Sequence, residues 1–303
     1  MSRRSKLQAD GRSIYVNSDH TEAARLKDAS RVYADVLCSA GGVKYGSRNE
    51  TSTSLITDCP SIDDPLKDRR PPQYPASCQE VNLELGDIIR TEEENSEDGD
   101  DVDDDIDDPE NNADNNIVNY DSIDAMEFND HTVLSPGVYC GGINIGQNIQ
   151  VEFEPGTYII QDGPFIVDRN SHVNGEGVGF YFTGENSYFN FLAGSAVTFT
   201  APETGDLAGM LFMEDRNNPA RTKFIIATHL ADELLGTIYL PRSRITVQSP
   251  SSVGQDSAYT VIVAWRIHVG NRSSLFLNSD YSATDVPVPE GVGPVNGSIY
   301  LTN

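Results

Sequence analysis

Short apolar runs, cut by Gly, Asn and Pro, follow one another from Val133 to the end of the chain. The clearest are "INIGQNIQVEFE", "GTYIIQDGPFIVD", "GVGFYFTG", "SYFNFLAGSAVTFTAP", "AGMLFMED", "KFIIAT", "LGTIYLP", "RITVQS", "YTVIVAWRIHVGN" and "SSLFLN". Within them, same-face apolar residues often recur every second position: Ile143 and Ile145, Val151 and Phe153, Val178 with Phe180 and Phe182, Val197 and Phe199, Ile245 and Val247, Leu275 and Leu277. A period of two puts one face of a strand inside and the other outside. By that alternation Phe180 and Phe182 face a core, and Tyr181 faces out.

Strands of this kind close in two ways. A sandwich needs hairpins with tight turns such as Asn-Gly, and only Asn174-Gly175 and Asn296-Gly297 offer one. A parallel β-helix coils the chain instead, with each strand stacked on its counterpart one coil earlier. The phrase Pro136-Gly137-Val138-Tyr139 returns 19 residues later as Pro155-Gly156-Thr157-Tyr158, and Tyr158 to Tyr181 and Tyr239 to Ile262 are each 23 residues. Those intervals match one coil, and the repeated Pro-Gly marks one corner of successive coils. The 58 residues from Tyr181 to Tyr239 then hold two coils and a loop. The expected fold is all-β, a right-handed parallel β-helix.

Residues 1–90 read as N-terminal rungs followed by a Pro-rich excursion, "DDPLKDRRPPQYP". Among them "SIYVNS" and "RVYADVLCSAGG" read as strands, and "HTEAARLKDAS" as one or two helical turns. Residues 91–130 form an acidic insertion, and residues 131–303 the main β-helix and a C-terminal tail.

Charge sharpens this division. The net charge is -26, yet Glu92 to Asp130 alone holds 18 acidic residues and no Lys or Arg. The segment has too few apolar side chains to offset the entropy of ordering it, so we read it as a mobile insertion. A field of this sign repels nucleic acid and anionic membranes, which excludes nucleic acid as a partner class. No stretch approaches the ~20 apolar residues of a membrane span, so no membrane insertion by this chain is expected. The start, MSRRSKLQADG, has basic residues but no apolar segment behind them. We read the chain as the distal part of a longer, exported protein.

The four cysteines, Cys38, Cys59, Cys78 and Cys140, include no C-x-x-C pair. An even count in a polar, acidic chain reads as two disulfides and an extracytoplasmic compartment: cell surface, secreted or periplasmic. Three connectivities are possible. Cys38 with Cys59 and Cys78 with Cys140 is preferred, because Cys78 ends the Pro-rich excursion and Cys140 opens the first clear coil. Closing so long a loop is worth roughly 4 kcal/mol in the chain-entropy model.

Catalytic chemistry is poorly supported. No H-E-x-x-H or G-x-S-x-G occurs, and the five histidines are scattered. "GEGVG" (Gly175 to Gly179) opens no helix, so it reads as a coil corner rather than a phosphate loop. Asp162, Asp168 and Arg169, and Glu214, Asp215 and Arg216, are the carboxylate-bearing clusters a polysaccharide lyase or hydrolase would need, but surface loops carry such groups routinely. In the acidic segment, Asp103, Asp105, Asp107 and Asp114 occupy positions 1, 3, 5 and 12 of an EF-hand loop, while Asp108 stands where Gly is required. Calcium is the one cofactor candidate, held loosely; a solvated acidic loop is the favoured reading.

Several longer phrases resemble one family. "VLSPGVYCGGINI", "FEPGTYIIQDGPFIV", "GEGVGFYFTG", "VTFTAPETGDLAGMLFMEDR", "LLGTIYLPRSRITV" and "YTVIVAWRIHVGN" resemble the C-terminal region of TadG-like proteins, from the tight-adherence (Tad, Flp-type) pilus-assembly systems of bacteria. "SIYVNS", "LCSAGGVKYG", "CPSIDDPL", "PPQYPASC" and the closing "VPVPEGVGPVNGSIYL" resemble it in the same order. The family normally begins with a membrane-anchoring segment, which this chain lacks, and the Asp-rich insertion is unusual. The resemblance implies a non-catalytic structural or adhesive component of a pilus or surface apparatus, whose partners are pilus or cell-surface proteins or a surface ligand. Alternatives are a carbohydrate-active or carbohydrate-binding β-helix protein and a calcium-responsive adhesin.

Deleting Glu93 to Asn116 removes almost no apolar side chains. The expected change in Tm in calcium-free buffer is therefore within a few degrees. A larger fall, measured by circular dichroism, would mean that the segment packs.

Overall fold

The computed structural model describes residues 1–86, 128, 130–248 and 252–293. Among these residues every regular element is a strand. The strands stack in parallel into a β-solenoid of about 10 turns. The acidic segment lies almost wholly outside the described residues.

Three walls surround the core. The first wall runs through Asp130–Leu134, Ile149–Phe153, His172–Gly175, Ala196–Thr200, Leu230–Ala231, Ser252–Val253 and Ser274–Phe276. The second runs through the start of Gly137–Ile145, then Gly156–Gln161, Val178–Thr183, Met210–Glu214 and the starts of Leu234–Val247 and Thr260–Val269. The third begins with Glu80–Leu85 and continues through the end of Gly137–Ile145, Phe165–Val167, Phe189–Phe191, Lys223–Ile226 and the ends of the two long strands.

The order in space is not the order in the chain. The N-terminal strand Lys6–Val16 stacks on Ser274–Phe276, with Leu7 opposite Leu275. Arg31–Ser39 stacks on it in turn, followed by Glu50–Thr51 and Ser54–Ile56. Residues 1–56 therefore extend the end of the solenoid where Ser274–Phe276 lies, while Glu80–Leu85 begins the other end. The stretch read as helical turns contains no helix. Ala24–Arg25 pairs in parallel with Val43–Lys44 instead, because the solenoid offers ladder partners that a short isolated helix lacks.

Inward side chains stack coil upon coil. Tyr158, Phe180, Phe212, Ile238 and Ile262 share one column. Across the core, Gly175 sits in register between Phe153 and Phe199. A Cβ there would meet Phe153 Cβ at 2.9 Å. With none present, the two rings meet edge to face at 5.5 Å.

The repeated Pro-Gly-x-Tyr has a direct cause. Each tyrosine hydroxyl donates to a carbonyl four residues back at its own corner: Tyr139 to Ser135 at 2.5 Å and Tyr158 to Glu154 at 2.7 Å. Gly156 holds φ at +149°, and a Cβ on it would fall 2.5 Å from Pro136 Cγ on the neighbouring coil. The phrases mark one corner, but the second is longer. Tyr158 therefore stands opposite Gly137 rather than Tyr139, and opposite Phe180 rather than Tyr181.

Tyr181 does point out of the coil, yet it is 1% exposed. Val138, Ile159, Tyr181, Met213, Tyr239 and Val263 form an outward apolar column on the second wall. The Pro-rich excursion covers it, with Leu66 as its buried anchor. Disulfides pin this strap at both ends: Cys38 to Cys59 at the N-terminal coils, and Cys78 to Cys140 at the opposite end. This is the preferred pairing. Between those ends lie eight rung steps, roughly 38 Å at about 4.8 Å each. Nineteen steps of chain from Cys59 to Cys78 reach up to about 65 Å, which leaves slack for the turn at Leu66.

Phe180→Ala removes a ring from the core and should cost about 3 to 5 kcal/mol. Tyr181→Ala should cost a comparable amount, because it opens a cavity beneath the strap, whereas a solvent-facing tyrosine would cost little. Urea denaturation of both variants measures the difference. A near-zero effect at Tyr181 would contradict the strap's packing.

Candidate functional site

The carboxylate clusters that resembled catalytic groups in sequence are committed to the scaffold. Asp162 accepts from the Glu185 amide at 3.0 Å, and Asp168 from the Arg169 amide at 2.6 Å. Asp215 accepts from Thr183 Oγ1 at 3.0 Å and the Asn217 amide at 2.9 Å. Arg216 holds the strap: its guanidinium donates to the carbonyls of Leu66 and Arg69, the latter at 2.9 Å, and lies over the Tyr239 ring at 5.0 Å. Tyr239 in turn donates to Asp64 at 2.5 Å. From the strap, Arg69 donates to the carbonyls of Asp206 at 2.6 Å and Ala208 at 3.1 Å.

Glu214 takes an inward position opposite Phe182, where a carboxylate is unexpected. It is fully buried beside the register shift between Leu240 and Arg244. The amide of Arg242 donates to it at 3.0 Å, and Ser243 donates to its other oxygen. Burial, only partly offset by these donors, pushes its carboxyl up to about 7. The "GEGVG" glycines form a coil corner, with Gly177 at a φ of +65°. Phe180, Tyr181, Phe182 and Phe189 are all buried, so these four rings are not available to stack a sugar. Asp103, Asp105, Asp107 and Asp114 lie outside the described residues.

Two charged surfaces stand out among the described residues. At the corner between the first and second walls, Glu176, Glu203, Glu233 and Asp256 line a groove of about 480 Å³ closed on one side by Thr284 and Val286. Burial raises the Glu233 carboxyl, and the neighbouring Glu176 and Asp256 raise it further. The described residues contain no group of three or more His, Cys, Asp or Glu arranged to hold a metal ion.

The opposite charge gathers on the outer face of the third wall. Lys223, Arg244 and Arg266 stand in register on consecutive coils. Trp265 is 45% exposed beside them, with Arg266 at 4.8 Å and Arg221 at 5.7 Å from its ring. Arg242 is exposed on the same coil as Arg244. His268 reports the positive field: its pKa falls to about 4, first through burial, then through the Met1 amine, Arg244 and Arg266. A planar ring flanked by guanidinium groups and an ammonium suits an anionic ligand with an apolar or sugar face. The sequence reading missed this ladder. Its signal was the same placement in three runs, a base directly before an inward apolar residue: Lys223-Phe224, Arg244-Ile245 and Arg266-Ile267.

No protein-family model matches the chain, and searches of curated proteins and of solved structures return no match.

Glu214 gives a pH prediction. Its folded pKa is above the usual 4.5, so its stabilising contribution is complete below pH 4.5 and is lost as pH rises through 7. The loss is about 3 kcal/mol. Glu214→Gln mimics the protonated acid, so the variant should lose less stability than the parent between pH 5 and 8. Identical pH slopes in urea titrations would show that the carboxyl titrates normally.

Proposed function

We propose that this chain is a non-catalytic, extracytoplasmic structural or adhesive component of a Tad-type pilus or surface apparatus. The observation that carries the reading is the strap. A rod whose outer apolar column is sealed by its own chain, and pinned by two disulfides, suits mechanical display in an oxidising compartment. The carboxylate and arginine groups nearest to a lyase or hydrolase pattern hold loops and strap together. The phrase-by-phrase resemblance to TadG-like proteins supplies the apparatus. Function then resides in surfaces, and the third wall is the surface best suited to touch an anionic partner.

In a bacterium that encodes this chain, deleting the gene should reduce surface attachment in a stained-biofilm assay without slowing growth. Restoring the gene with Lys223→Glu and Arg266→Glu together should leave protein level and fold intact but restore less attachment than the parent. Full attachment in the deletion strain would refute the adhesive reading. Turnover of pectin, alginate or another polysaccharide by the purified chain would replace it with the enzyme reading. A second reading, carbohydrate binding, is favoured by exposed Trp265; Trp265→Ala should then weaken retention on an acidic-polysaccharide column.

A further inference from the structure

The bases of the third wall form a grid rather than a patch. Lys223, Arg244 and Arg266 stand in register on three consecutive coils. A second row runs beside them, where the second wall passes into the third. There the Arg221 amide donates to the Arg242 carbonyl at 2.7 Å, and Trp265 takes the place beside Arg266 on the next coil. Backbone positions in each row recur at the rung spacing of about 4.8 Å.

The grid is not neutralised where it stands. The stretches that build these coils, residues 217–231, 234–255 and 257–279, contain no Asp or Glu, although the whole sequence holds 47. Arg221, Lys223, Arg242 and Arg266 are exposed, and among the described residues no carboxylate pairs with any of them. Trp265 holds two of them in place. Arg266 and Arg221 lie over its ring at 4.8 and 5.7 Å, so their guanidinium groups lose less freedom when they take a ligand.

Spacing selects the ligand. An extended acidic peptide shows same-face carboxylates at every second residue, about 6.8 Å apart. A duplex strand carries one phosphate per about 3.4 Å of axis, and the net charge of -26 opposes so dense a polyanion. A linear chain of uronic acids carries one carboxylate per pyranose unit, a length close to one rung. When such a chain is a flat ribbon, successive carboxylates fall on alternate edges, and two parallel basic rows accommodate both edges. Guanidinium forks bind carboxylates through paired N–H donors.

We infer that the third wall binds a linear polyuronate laid along the rod axis, one sugar per coil, with its carboxylates held by the two basic rows. The exposed part of the Trp265 indole borders one end of this track and offers the sugar rings apolar contact. The inference deepens the reading of the third wall as an anion-facing surface and rests on it. Three coils carry the grid, so three sugars fill the site.

Trp265 is the chain's single tryptophan, so its fluorescence reports this site in the full protein. Titration with oligogalacturonates of one to six units, at low salt, tests the inference. Emission should change on binding, and each added unit up to the trimer should tighten binding about threefold. Affinity should then level off from trimer to hexamer. A fully methyl-esterified trimer, equal in length but uncharged, should leave emission unchanged. Lys223→Gln, with an unaltered circular dichroism spectrum, should weaken trimer binding to the level of the dimer and leave the dimer's affinity as in the parent. No emission change with the trimer would overturn the inference, as would an affinity that keeps rising by the same factor to the hexamer. So would an oligoglutamate or oligodeoxynucleotide of equal charge that binds as tightly as the trimer. If attachment is lost with Lys223→Glu and Arg266→Glu while uronates do not bind, the third wall stands as a contact surface and this inference falls. Uronate binding by a chain whose deletion leaves attachment intact would support the inference and refute the adhesive reading.

Discussion

Parallel register is the constraint on which this molecule depends. Each inward side chain must sit over its counterpart one coil away, so the shape of one residue is set by its neighbours above and below. Gly175 is small because Phe153 and Phe199 meet across it, and Gly156 is a glycine because Pro136 occupies the space of its Cβ. Glu214 is tolerated in an inward row only because the register shift beside it turns the Arg242 amide and the Ser243 hydroxyl towards its carboxyl. Corners, cores and the buried acid are thus consequences of one stacking rule.

The same rule explains the strap. A wall that is apolar on both faces needs cover on both, and the solenoid interior covers only one. The outward column from Val138 to Val263 would otherwise be a long exposed stripe. Leu66 seals it from the centre, while Arg216, Tyr239 and Asp64 fix the strap's path with bonds that hydrophobic contact alone would leave unspecified. Charge is segregated accordingly: acids at one corner, bases on the third wall, and the apolar second wall enclosed.

Much of this was legible in sequence. Alternation in Val151–Phe153 and Val178–Phe182, with the Pro-Gly-x-Tyr repeat, pointed to a coiled parallel fold and to its inward residues. The cysteine positions pointed to the pairing because Cys78 and Cys140 bracket a loop that must return to the coil. Tyr181 points outward as alternation requires, but alternation describes a strand's two faces and not what lies beyond them, so its cover by the strap was not legible. The runs "YII", "GFYF" and "MLFM" were already too apolar on both faces for a solvated wall. The stacking of Leu7 on Leu275 was not legible, since a ladder between chain segments so far apart leaves no local pattern. The basic ladder was overlooked for a related reason: Lys223, Arg244 and Arg266 become neighbours only once register is known.

That stacking of Leu7 on Leu275 governs how the chain acquires its structure over time. An ordinary solenoid can begin at one end and propagate, each coil forming on the last. Here Lys6–Val16 and Arg31–Ser39 are made early, but the coil that receives them is among the last. The first 56 residues must wait until the rest of the rod has wound towards them, and the Cys38 to Cys59 bond closes a loop over only the last part of that stretch. Loop closure over such a distance slows folding. It also makes completion all-or-none, because a chain interrupted before Ser274 has no surface on which its own beginning can settle.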